Sequence, residues 1–147
     1  MKAYFDTSAF AAILLEDDRW QDIAEWVDAQ QIQGSISDFG WGEFVSAIGI
    51  RVRLGRALAS DALDFLGLVP ARLRGWSRVA IVPADIAAAT DMLSKFALGL
   101  KLPDAIHIAV AQRLGLTLVS TDIRQVRAAV SLGVAAINPL HTDGTPS

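Results

Sequence analysis

Residues 99–122, GLKLPDAIHIAVAQRLGLTLVSTD, decide the fold, because they read as one buried helix running directly into one buried strand. Leu102, Ala105, Ile106, Ala109, Val110 and Leu114 recur at helical spacing, and Ile108 and Ala111 widen the apolar face until it nearly encircles the axis. A helix of that kind belongs inside a core. Pro103 suits a first helical position and Gly115 the position just past the end, after which Leu116 to Val119 form a short apolar run stopping at Ser120, Thr121 and Asp122. The helix carries an acid, Asp104, in its first turn, and the strand stops beside another, Asp122. An ionised carboxylate next to a core is costly unless it is paired or bound to a metal. Lys101 and Arg124 are the only cations within four residues of either acid, and that tension is the first clue to function.

Working outward, Ala3, Tyr4 and Phe5 form a short strand ending at Asp6, with Thr7 and Ser8 placed to cap a helix from Ala9 through Leu15. Trp20, Ile23, Ala24 and Val27 repeat at i, i+3, i+4 and i+7 in a second helix that leaves Trp26 off its apolar face, as an isolated exposed residue. Gly34 to Ser37 reads as a second strand, and Ser37 or Asp38 caps a long helix toward Leu54 that contains Glu43. The stretch from Ala57 to Trp76 is helical with a break expected near Pro70. Arg78 to Val82 reads as a third strand and Pro83 opens a helix reaching Phe96. After Asp122 come a helix to Leu132, a stop at Gly133 and a last strand at Val134 to Ile137. Strands alternating with helices, without tight hairpin turns between them, predict an α/β fold: a three-layer α/β/α sandwich around a mostly parallel sheet. Ligands bind such sheets beyond the carboxyl ends of the strands, where the strand order reverses.

Residues 1–140 are expected to form one domain and 141–147 a loose tail, since 147 residues can bury roughly 68 to 70% of their unfolded surface without disulfides. The composition, 52% apolar and 20% charged, is that of a globular protein, and no apolar run is long enough to span a membrane. With no export-signal pattern and no cysteine, a cytoplasmic location is expected. The net charge of −3 is unevenly spread: residues 1–48 hold nine acids against Lys2 and Arg19, for −7, whereas residues 49–80 hold six arginines against Asp61 and Asp64, for +4. Arginine suits bidentate phosphate contacts, and it equally suits ion pairs to the acidic first third.

Asp6, Glu43, Asp104 and Asp122 are the acids set against apolar segments. Singly, the three aspartates could be helix caps or first-turn dipole partners, and Glu43 a surface residue, although it lacks a cation one turn away. Together, converging on one pocket, four carboxylates would repel unless a divalent cation neutralised them. Ligation by oxygen alone favours Mg²⁺ or Mn²⁺ over zinc. His107, on so apolar a helix, reads as a satisfied core or rim histidine in preference to a ligand. An acidic metal pocket in a chain with an arginine-rich segment points to phosphodiester chemistry.

These residues resemble the PIN-domain ribonucleases, and within them the VapC-type toxins of toxin–antitoxin pairs. The likeness rests on YFDTSAF, WGEFVSA, LKLPDAIHIAVAQRLG, LTLVSTD and LGVAAINPL, in that order from Lys2 to about Leu140. It implies that Asp6, Glu43, Asp104 and Asp122 are the catalytic, metal-binding acids, with Ser120 a supporting hydroxyl. It further implies a Mg²⁺- or Mn²⁺-dependent endoribonuclease acting on RNA, a cognate antitoxin and a homodimer. The chain departs from the family in having Arg124 and Gln125 where many relatives place a further acid. Two other readings stand beside this one: a catalytically silent PIN-like module that binds protein or RNA, and an aspartyl-phosphate receiver or phosphatase built on Asp6. The second is disfavoured by the missing acid two residues on and by Lys101 preceding a helix.

Overall fold

The computed structural model describes residues 1–141; all but the first residue of the expected tail, 141–147, lies outside them. Five parallel strands form one sheet: β1 (Lys2–Phe5), β2 (Gln33–Ser37), β3 (Ser77–Val79), β4 (Thr117–Val119) and β5 (Ala136–Ile137), in the order β3-β2-β1-β4-β5. The order reverses between β1 and β4, which pair with Tyr4 opposite Leu118 and Phe5 opposite Val119. Because side chains alternate across a strand, this register divides the core. Tyr4 and Leu118 face α5 (Pro83–Leu93), α6 (Leu102–Leu114) and α7 (Ile123–Ser131). Ala3, Phe5, Ile36 and Val119 face the other way, against α1 (Thr7–Leu14), α3 (Asp38–Arg53) and α4 (Ala59–Arg72). The short α2 (Trp20–Ala29) packs on α1. The fold is the expected α/β sandwich, with every sheet pairing parallel.

The sequence of α6 explains its place. Every residue from Ala105 to Ala111 is buried, so the helix is enclosed by its neighbours on all sides, and Gly115 ends it at φ 64°, a conformation open to glycine. Asp85 in α5 supplies a tie that the periodicity did not reveal. Almost wholly buried, it takes two hydrogen bonds from the Arg113 guanidinium of α6, at 2.8 and 3.0 Å.

Four expectations are corrected. The third strand is shorter than Arg78–Val82 because the backbone at 80–82 finds side-chain partners in place of a ladder: Arg113 donates to the Ala80 carbonyl, and Asp38 and Asp85 accept from the Ile81 and Val82 amides. Helix α4 continues past Pro70 to Arg72, and the helix opened by Pro83 stops at Leu93, a 3₁₀ turn at Phe96–Leu98 following it. Trp26 is half-buried against the core cluster of Phe10 and Phe44. Among the described residues no helix is long and apolar enough to cross a membrane.

Candidate active site

Asp6 leaves β1 at the reversal of strand order, its backbone amide donating to Val119 at the end of β4 (3.1 Å). It is Asp6, and not Thr7 or Ser8, that caps α1, its Oδ1 accepting from the Ala9 amide (2.9 Å) and the Ser8 hydroxyl (2.7 Å). The carboxylate is only 3% exposed and no cation pairs with it among the described residues. Burial pushes its pKa up, against the opposing pull of His107, Ser120, Ser8 and the Ala9 amide.

The two hydroxyls that follow Asp6 reach in opposite directions. Ser8, its proton committed to Asp6, accepts from the Thr121 amide just past β4 (3.3 Å) and packs against the fully buried Ser120, which donates to Gln125 and accepts from the Asp122 amide; the Gln125 side-chain amide donates in turn to the Asp104 carbonyl (3.3 Å). This relay draws the ends of β1 and β4 and the starts of α6 and α7 together. Gln125 needs to be an amide there, because it both accepts and donates. Thr7 reaches the other way, donating to Glu43 Oε1 at 2.6 Å, and His107 Nε2 donates to the same oxygen at 2.6 Å. The His107 ring is fixed from behind by the Tyr4 hydroxyl, which donates to Ser37, the cap of α3. Burial raises the Glu43 pKa, but the hydrogen bonds from His107 and Thr7 outweigh it and hold the carboxyl below its ordinary range. Gly40 packs close to the site: a Cβ there would touch the His107 and Phe10 rings at 3.4 Å.

Asp104 and Asp122 complete the set, each turned toward its own helix. Asp122 caps α7 through the Arg124 and Gln125 amides, and Asp104 reaches back to the Lys101 amide at 3.3 Å. Asp85 does the same for α5 but also binds Arg113, whereas Asp104 has no cation partner among the described residues. The structure therefore sets Asp6 and Asp122 at the carboxyl ends of neighbouring strands, ties the backbones of Asp104 and Asp122 together through Gln125 and Ser120, and joins Glu43 to Thr7 and His107. It does not close them into a cage: among the described residues no three His, Asp or Glu side chains form a group that could hold a metal.

A family profile described as PIN domain matches residues 3–131. The chain belongs to the PIN-domain family. No curated protein matches it. Solved structures share the fold at low identity. FitAcB from Neisseria gonorrhoeae is 19% identical, with 96% of this chain and 99% of that one covered and a TM-score of 0.72. A toxin–antitoxin complex from Klebsiella pneumoniae is 20% identical, covering 93% and 97% at 0.65. The toxin VapC20 from Mycobacterium tuberculosis, described as cleaving the sarcin–ricin loop, is 19% identical, covering 86% and 94% at 0.65.

The donors of this PIN domain fit a hard divalent cation in chemistry: all are oxygen, and Asp6 lacks only a positive partner. They fit one that keeps most of its water, since Mg²⁺ needs only one or two carboxylates. His107 is buried, as expected, and it also holds Glu43. Its link to Glu43 spans 64 positions of sequence, and the signal that could have found it was the placement of a lone histidine one turn from Asp104.

Proposed function

We propose that this PIN domain is a Mg²⁺- or Mn²⁺-dependent endoribonuclease toxin, restrained by a cognate antitoxin and acting as a homodimer in the cytoplasm. One observation carries the reading: a buried carboxylate without a cation, Asp6, at the reversal of strand order, tied through Ser8 to Thr121 beside Asp122, while Ser120 and Gln125 tie Asp122 to the start of the helix bearing Asp104. PIN domains are generally nucleases, and the toxins of similar fold support the RNA substrate and the antitoxin.

Asp6 would hold the cation, with Asp104 and Asp122 reaching it through the waters it keeps, and the cation would supply charge to offset the phosphate and to favour ionisation of the attacking water. The remaining work falls to the protein's own groups. Asp6, fixed by the Ala9 amide and Ser8, presents a rigid anionic anchor. Glu43, aimed by Thr7 and His107 and ionised at neutral pH, accepts a hydrogen bond from the attacking water and orients it. Ser120 is a positioning residue, acting through Gln125 and the Asp122 amide.

The capping roles of Asp6, Asp104 and Asp122 favour a second reading, a metal-free PIN module that binds protein or RNA. Incubation of antitoxin-free protein with total cellular RNA and Mn²⁺ separates the two. Cleavage that is lost in Asp104→Asn is expected; undiminished cleavage by Asp6→Asn and Asp104→Asn overturns the assignment. Absence of heat on calorimetric titration with Mn²⁺ establishes the silent module.

A further inference from the structure

Of the arginines, Arg19, Arg51 and Arg113 pair with carboxylates, and Arg72 and Arg78 lie over aromatic rings. Arg53, Arg56, Arg74, Arg124 and Arg127 have no such partner among the described residues, and of these the pair on α7, Arg124 and Arg127, stands beside Asp122. Both are exposed, one helical turn apart on α7, and both line an open cavity of about 540 Å³ that Asp122 also lines. The opposite wall is the 3₁₀ turn through Ala97 and Leu98. That turn abuts α7, since a side chain at Gly99 would meet the Arg124 Cδ at 3.9 Å. It also carries Phe96, 88% exposed on a turn bracketed by the exposed Lys95 and Lys101. An exposed aromatic ring on the turn that walls the cleft, with guanidinium groups on the helix opposite, offers what single-stranded nucleic acid uses, bases stacking on a ring and phosphates on cations.

We propose that this cleft is the substrate track of the enzyme: Arg124 and Arg127 hold phosphates of single-stranded RNA on one side of the scissile bond, and Phe96 stacks a base. The inference rests on the nuclease reading. It locates the RNA contacts on α7 and the 96–98 turn; of the basic segment 49–80, Arg51, Arg72 and Arg78 are engaged within the molecule, and Arg53, Arg56 and Arg74 do not line the cleft that holds Asp122.

The test measures binding of a fluorescent, mixed-sequence single-stranded oligoribonucleotide by anisotropy, with Mn²⁺ and in an Asp104→Asn background that prevents cleavage. Arg124→Gln with Arg127→Gln should weaken binding about tenfold and reduce the salt dependence of log K by about 1.4, or about 0.7 for each phosphate no longer neutralised. Arg124→Lys with Arg127→Lys should keep the salt slope. Phe96→Ala should weaken binding about tenfold with the slope unchanged, and Phe96→Tyr should restore it. Circular dichroism confirms that each variant is folded. Unaltered affinity and slope in the glutamine variant, while the wild type cleaves RNA, overturn this proposal and leave the nuclease standing. A wild type that neither binds nor cleaves overturns both. Intact RNA binding with loss of affinity for a polyglutamate peptide overturns the proposal in favour of a protein-docking cleft.

Discussion

Asp6 caps α1 and at the same time carries a charge into a buried place, and the two roles separate on mutation. Asparagine caps as well as aspartate, so Asp6→Asn should keep the helix and remove the desolvated charge. The folded pKa is raised, so this group's contribution to stability is fully present below the ordinary carboxylate value and is lost as pH rises through the folded one. At pH 7 the variant should be more stable than the metal-free wild type by about 1 kcal/mol, a rise in Tm of roughly 2 to 4 °C. The difference should vanish in melts near pH 3, and RNA cleavage should be abolished. Glu43 has the opposite sign. Its folded pKa is depressed, so its contribution is present above the ordinary glutamate value and lost as pH falls through the folded one. His107→Gln should destabilise by about 1 to 3 kcal/mol at pH 7 and flatten the acid limb of the stability profile, as urea titrations at several pH values would show. Asp6, Asp104 and Asp122 were legible because an acid at a strand end or in the first turn of a buried helix is out of place locally. The Tyr4, Ser37, Thr7 and His107 contacts were not, because they join positions 33 to 103 residues apart.

The elements were legible where a local period or a cap wrote them, and misread where a side chain replaced a backbone partner. Helix α6 follows its apolar pattern closely, whereas β3 is cut short by bonds from Asp38, Asp85 and Arg113 that no period encodes. The Asp85–Arg113 pair clamps α5 to α6, with Asp85 buried and Arg113 one-third exposed. Asp85→Asn should therefore destabilise by about 2 to 3 kcal/mol, below the range for a fully buried pair. The double change Asp85→Leu with Arg113→Met should recover part of that loss in denaturant melts. Strand β2 imposes a steric condition instead. A Cβ on Gly34 would stand 2.7 Å from the Trp76 indole, which also stacks on Phe5 at 4.6 Å. Gly34→Ala should thus cost about 1 to 3 kcal/mol and perturb tryptophan fluorescence. Combining it with Trp76→Leu should make the two effects non-additive, because the smaller side chain at 76 makes room for the added methyl.

At the scale of the molecule, parallel strands ordered β3-β2-β1-β4-β5 bring two loops distant in sequence, after β1 and after β4, to one crevice. Alternation of strand and helix predicted this much, since right-handed crossovers leave few ways to order five parallel strands. It could not predict where the acids point, because capping each helix locally competes with gathering a common ligand. That competition is measurable as linkage. A cation that binds only the folded protein stabilises it by RT ln(1 + [L]/Kd), about 2.7 kcal/mol at one hundred times Kd, or roughly 5 to 11 °C in Tm at this chain length. Mn²⁺ should therefore raise the Tm of the wild type progressively with concentration. In Asp6→Asn the same titration should give a much smaller rise, from a metal-free Tm that starts higher. Equal Mn²⁺ responses in the two proteins would place the cation away from Asp6 and leave the reversal point of the sheet with a structural aspartate alone.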